Sequence, residues 1–269
     1  LITQGPVVKK FENALKNYTN SKYCKVMSNG TAALHAACFA LNLNNKDIVW
    51  TSPISFVASA NCASFFGAKV NFIDIDAENG LIDVKILEER LIYAKKNKCL
   101  PKILIIVHFA GEPCNLKYIY KLSKTYKFKV IEDASHALGA IYNKTKIGSC
   151  KYSDITTFSF HPVKNITTGE GGAITTNNLI YESKIEKFIS HGIKKNNNQS
   201  NSWEYNMEFL GYNYRMTEIQ AALGIGQLSV IEQFIRKKKL IKDSYDNFFK
   251  KISVKTLKCD KKNRSANHL

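Results

Sequence analysis

Two hydrophobic periods alternate along this chain. Short apolar runs of strand length recur at Ile48 to Thr51, Val70 to Asp74, Ile103 to His108, Lys129 to Asp133, Ile155 to Phe160 and Ala173 to Thr176. Between them lie stretches with helical spacing, over residues 32–41, 56–66, 84–96 and 116–126. The run from Ile103 is continuously apolar, as expected of a strand covered on both faces. This alternation predicts an α/β fold with a mostly parallel sheet flanked by helices. Ligands in such sheets collect at the carboxyl ends of the strands. Asp133 and Lys164 are both expected at such ends. Beyond Ile180 the pattern turns helical. Thr217 opens a helix, Glu218 adds negative charge to its first turn, and the apolar periodicity continues through Ile241 to Phe249. The polar run Asn196 to Asn201 reads as a surface loop. The expected division is a large domain over residues 1–230, then residues 231–269 as a long helix and the start of a truncated C-terminal small domain.

Composition narrows the class. The chain has 269 residues and 45% hydrophobic content, ample for one large core. No apolar run approaches the roughly 20 residues that span a bilayer, and no signal segment opens the chain. A cytoplasmic protein without a membrane partner is expected. The seven cysteines are scattered and form no CxxC pair, so reduced thiols fit better than a metal site or redox pair. Cys38 and Cys62 fall in apolar helical stretches and read as core. The net charge is +17, yet arginine occurs only as Arg90, Arg215, Arg236 and Arg264. The lysines are spread out and no recognition motif accompanies them. They read as a solvated basic surface, with no nucleic-acid partner expected.

Four segments carry candidate chemistry. Ser28-Asn29-Gly30-Thr31 leads into an apolar helix whose free N–H groups suit a phosphate, with Thr31 as a hydroxyl donor. Taken alone it is equally an N-cap. Asp133 ends a strand and is placed either to cap a helix or to pair with a protonated pyridine nitrogen. His136 follows nearby, as a structural residue or a ring contact. Lys164 comes after Phe158-Ser159-Phe160-His161-Pro162-Val163 and before a loop containing Gly169, Gly171 and Gly172. A lysine so placed suits an imine with the aldehyde of pyridoxal 5'-phosphate (PLP), and Ser159 lies within reach of the cofactor phosphate. Phe56 is either core or a stacking platform for a planar ring.

These blocks occur in order with Gly211-Tyr212-Asn213-Tyr214-Arg215-Met216-Thr217-Glu218. Together they closely resemble the DegT/DnrJ/EryC1/StrS family of PLP-dependent nucleotide-sugar aminotransferases, over nearly the whole chain. The resemblance implies the large domain of PLP-dependent transferase fold type I. It implies Lys164 as the Schiff-base lysine and Asp133 as the partner of the pyridine nitrogen. Phe56 stacks on the ring, His136 lies beside it, and Thr31, Ala32 and Ser159 hold the phosphate. Asn213 reaches the cofactor phosphate of a neighbouring subunit, in a homodimer with shared active sites. Arg215 contacts anionic groups of the substrate. The lysine segment is most similar to the pseudaminic-acid branch, which implies amination at C4 of a UDP-linked 4-keto-6-deoxy-2-acetamido sugar with glutamate as donor.

Alternatives from the same residues are C3 or C4 amination of a dTDP- or GDP-sugar, and a non-catalytic PLP- or sugar-binding regulator. A related dehydratase is disfavoured because Lys164 stands where those enzymes carry histidine. Members of the family continue for about another hundred residues, so the chain is expected to be a fragment. Its turnover alone is expected to fall far below that of a longer version assayed beside it; equal turnover contradicts this.

Overall fold

The computed structural model describes residues 2–195 and 205–268. The predicted Asn-rich loop at Asn196 to Asn201 therefore lies outside the described residues. Seven strands form the central sheet: β1 (Tyr23–Met27), β2 (Ile48–Thr51), β3 (Lys69–Phe72), β4 (Ile103–Val107), β5 (Lys129–Asp133), β8 (Ile155–Ser159) and β9 (Gly172–Thr176). Between β5 and β8 lies a small hairpin, β6 (Ile141–Tyr142) and β7 (Thr145–Lys146). The sheet order is β1-β9-β8-β5-β4-β2-β3. The pairings from β3 through β8 are parallel. Only β9 runs against its neighbours, β8 and β1.

The pleat divides the core in two. Along β4, Ile103 and Ile105 enter one apolar cluster while Leu104 and Ile106 enter the other. Val130 and Ile131 of β5 divide the same way, as do Ala173 and Ile174 of β9. This is the period of two that a strand imposes. One face carries α2 (Gly30–Ala40), α3 (Ala58–Ser64) and α6 (Leu179–Phe188). The other carries α1 (Pro6–Thr19), α4 (Val84–Lys96), α5 (Leu116–Tyr126) and α7 (Glu218–Ser229). Helix α2 is apolar nearly all round and buried along almost its whole length. A helix of that kind belongs inside a core.

The pattern left helix α1 and strand β1, among others, unread. Helix α1 buries Phe11 and Leu15. Strand β1 carries Lys25 at its centre, which hides its strand character. That charge is held by Glu182 at 3.1 Å and Glu186 at 2.8 Å, both from α6. Several expected boundaries also shift. The helix expected from Phe56 begins at Ala58, the strand expected to reach Asp74 ends at Phe72, and Lys164 lies five residues past the end of β8. The periodicity after Thr217 forms two helices, parting at Val230, with α8 spanning Ile231–Lys251. Thr217 caps α7 in a capping box with Gln220.

After α8 the chain returns to the sheet domain. The Arg264 and Ile141 backbones exchange hydrogen bonds of 2.8 and 2.9 Å. Ala266 N–H donates to the Gly111 carbonyl at 3.0 Å, and His268 N–H to that of Ala110 at 3.1 Å.

Ile105, at the centre of the sheet, has no exposed surface. Ile105→Ala is expected to lower unfolding free energy by about 2–5 kcal/mol, read from urea melts. A loss under about 1 kcal/mol contradicts the packing described.

Candidate active site

The register places the ends of several strands on one edge. Val107 pairs with Asp133, Asp133 with Thr157, Ser159 with Gly172, and Gly172 with Met27. Along this edge lies a cavity of about 580 Å³, within the range of small-molecule sites. It is lined by Thr31, Ala32, Phe56, Asp133, His136, Ser159 and Lys164, among others. Seven of the expected residues therefore meet around one space. Asn213 and Arg215 do not line it. Asn213 is exposed and its backbone pairs with Ser190. Arg215 is half-buried. Between them, Tyr214 does reach the cavity.

The loop carrying Asn213 is tightly anchored. Tyr212 and Tyr214 N–H groups donate to the Phe188 and Ile189 carbonyls at 2.8 and 3.0 Å, and Ser28 N–H donates to the Tyr214 carbonyl at 2.7 Å. The Tyr214 hydroxyl meets His35 Nδ1 at 3.1 Å. Burial among Phe65, Phe66 and Phe188 pushes His35 down to about 4, so the ring is neutral.

Two consecutive carboxylates end β5, and the pleat sends them to opposite faces. Glu132 bonds His108 Nε2 at 2.8 Å, Thr156 Oγ1 at 3.2 Å and the Ser153 hydroxyl. The Cys114 N–H donates to His108 Nδ1 at 3.0 Å, so Nε2 carries the proton. Asp133 faces the cavity instead. Its Oδ2 accepts from Ser59 Oγ at 2.7 Å, and Ser59 is linked to Ser55 at 2.7 Å. Its Oδ1 accepts from Ser135 N–H at 3.1 Å and Ser135 Oγ at 2.7 Å. These three bonds fix the carboxylate's direction and leave it open to a cation in the cavity. Ser59 had no motif to announce it.

At one end of the cavity the start of α2 lies against Ser159. A β-carbon on Gly30 would stand 2.8 Å from Ser159 Cβ, and one on Gly172 only 2.3 Å from the Asn29 carbonyl oxygen. Only glycine permits this approach. The Asn29 side chain caps the helix by accepting from Ala32 N–H at 2.7 Å. The Ala32 N–H is thus engaged, while Thr31 and Ser159 bring hydroxyls to the same corner. A helix N-terminus with adjoining hydroxyls suits a phosphate.

Lys164 sits in the loop between β8 and β9, half-buried, with its N–H bonded to the His161 carbonyl at 2.9 Å. Burial lowers its ammonium below the ordinary lysine range, and the Asp133 charge opposes part of that. Phe56 is 72% exposed and lies on the cavity wall, not in the core. His136 is pushed down to about 4 by burial and the Lys164 charge, against the pull of Asp133. His268 stacks on it with ring centroids 4.0 Å apart and a 22° tilt. Burial and the neighbouring His136, Lys164 and Lys238 push His268 down to about 3. Both rings are neutral near pH 7. Sequence reading missed His268, because nothing local links residues so far apart in the chain. Among the described residues no group of three or more potential ligands is gathered for a metal, and no helix is long and apolar enough to cross a membrane.

Comparison with known proteins identifies the family. The model of the DegT/DnrJ/EryC1/StrS aminotransferase family matches residues 1–269. The chain is 42% identical over 270 residues to a UDP-4-amino-4,6-dideoxy-N-acetyl-beta-L-altrosamine transaminase of Campylobacter jejuni, covering 100% of this chain and 69% of that protein. Helicobacter pylori PseC, an aminotransferase involved in the biosynthesis of pseudoaminic acid, superposes with a TM-score of 0.85 at 31% identity, over 100% of this chain and 70% of its own. A Streptococcus pneumoniae protein assigned as a sugar aminotransferase superposes in its PLP form with a TM-score of 0.85 at 27% identity, over 100% of this chain and 70% of its own. It has also been solved in a PMP form. This chain belongs to the DegT/DnrJ/EryC1/StrS aminotransferase family, whose members are PLP enzymes.

Proposed function

We propose that this aminotransferase transfers an amino group from glutamate to C4 of a UDP-linked 4-keto-6-deoxy-2-acetamido hexose, a step of pseudaminic-acid type sugar synthesis. The observation that carries the reading is the single cavity where Lys164 and Asp133 meet beside the start of α2. The choice of sugar is supported by the names of the Campylobacter and Helicobacter relatives.

The lining fits PLP in size and in the chemistry of its donors. Bound there, PLP supplies an electron sink for the charge left when a proton leaves the substrate carbon. Asp133 would hold the pyridine nitrogen protonated, through a carboxylate already oriented by Ser59 and Ser135. Thr31, Ala32 and Ser159 would hold the phosphate at the start of α2. Phe56 would cover one ring face, with neutral His136 beside the ring. Lys164 Nζ would anchor the cofactor and, as a neutral amine, would be placed to take and return a proton at the substrate carbon. Its burial favours the neutral amine needed for both tasks. Asn213 and Arg215, outside their own chain's cavity, serve a second copy of the chain. Asn213 would reach that copy's cofactor phosphate, and Arg215 would meet anionic substrate groups. The active unit is thus a homodimer.

Incubation with glutamate and a panel of UDP-, dTDP- and GDP-keto-sugars, followed by mass spectrometry, tests the substrate. The UDP-4-keto-6-deoxy-2-acetamido sugar is expected to gain the amine fastest; a faster dTDP- or GDP-sugar, or a C3 amine, overturns the choice. Asp133→Asn is expected to lower kcat by at least about 100-fold, because a neutral amide no longer holds the ring cationic. Near-normal turnover removes Asp133 from its role. Gly30→Ala is expected to weaken PLP binding by about tenfold or more through the contact with Ser159. Unchanged affinity in a fluorescence titration argues against the phosphate corner.

A further inference from the structure

We propose that Asn165, tied to Lys238 of α8, is the positioning residue that keeps Lys164 in register with Asp133 and His136. The proposal rests on Lys164 being the cofactor lysine. Asn165 directly follows Lys164 and is buried. Its Nδ2 donates to the His136 carbonyl at 3.2 Å and the Leu138 carbonyl at 3.0 Å. Its Oδ1 accepts from Lys238 Nζ at 2.9 Å. Both amide donors and the acceptor are therefore used. One side chain joins the lysine loop, the segment after β5 and helix α8.

The other contacts of this loop do not fix Lys164 against Asp133. The Thr168 N–H and Thr167 hydroxyl both return to the Phe160 carbonyl at 3.0 Å, closing the loop on itself. Ile166 is buried, but apolar packing sets depth rather than direction. Among the described residues, only Asn165 gives the loop oriented bonds to the segment that follows Asp133. That segment is itself rigid: Ala134 N–H bonds the Thr157 carbonyl at 2.9 Å, and Ala137 N–H the Ala134 carbonyl at 2.8 Å. A shift at Asn165 therefore displaces Lys164 while Asp133 stays in place.

Lys238 completes the device. It is half-buried on an otherwise largely solvated helix, and it meets a neutral amide instead of a carboxylate. Its charge polarises that amide and strengthens the two donations from Nδ2. This separates positioning from simple charge pairing. Asn165→Asp keeps the size and improves the pair with Lys238, yet puts a carboxylate oxygen against two carbonyl oxygens. Lys238→Met removes the charge and leaves Asn165 intact.

The test follows covalent capture of PLP by the cofactor-free protein, read from the rise of its visible absorbance and from mass after borohydride reduction. Lys164→Ala runs in parallel, and circular dichroism monitors folding. Asn165→Asp is expected to slow capture by on the order of tenfold or more and to move the pH midpoint of the visible band. Lys238→Met is expected to slow capture by about threefold while the protein remains folded. Capture by both variants within about twofold of the parent rate, with an unmoved midpoint, overturns the positioning role. If Asn165→Asp fails to fold, Lys238→Met decides alone by the same criterion. Capture that survives in Lys164→Ala overturns the assignment of Lys164 instead, a distinguishable failure.

Discussion

A sheet buried on both faces leaves polar chemistry only its edges. In β4 and β9 every residue is buried, and in β5 and β8 all but one end residue. An unpaired charge within those strands carries a desolvation cost of several kcal/mol. Glu132 is tolerated because His108, Ser153 and Thr156 bind it. Asp133 stands one residue further on, where the sheet ends, and faces open space. The parallel register then carries Val107, Asp133 and Ser159 to the same edge, and antiparallel β9 delivers Gly172 there too. The site is a consequence of where the apolar runs stop.

The electrostatics follow from the same edge. The start of α2 offers partial positive charge, Asp133 offers negative charge, and Lys164 lies between solvent and core. A ligand with a phosphate at one end and a basic ring nitrogen at the other matches that polarity. PLP has this shape, and sugar aminotransferases of the family superpose over the whole of this chain.

Much of this was legible in the sequence because it was local. The run from Ile103 and the runs before Asp133 and Lys164 marked the buried strands and their ends. Gly30-Thr31 and the lysine segment carried their chemistry in consecutive residues. What stayed hidden depends on contacts across the chain. Lys25 masked β1 because its partners, Glu182 and Glu186, come from a helix far along the sequence. Phe56 taken alone left core and stacking platform both open, because hydrophobicity does not distinguish a cavity wall from an interior. The stack of His268 on His136 and the bonds of Asn165 arise only when the tail and α8 fold back onto the sheet domain.

The claim on which the rest hangs is that Lys164 is the residue that binds the cofactor. Borohydride reduction of the PLP-loaded protein, followed by proteolysis and peptide mass mapping, addresses it directly. The account predicts one reduced pyridoxyl adduct, on the peptide containing Lys164 and on that lysine alone. An adduct located on any other lysine, with Lys164 unmodified, contradicts it.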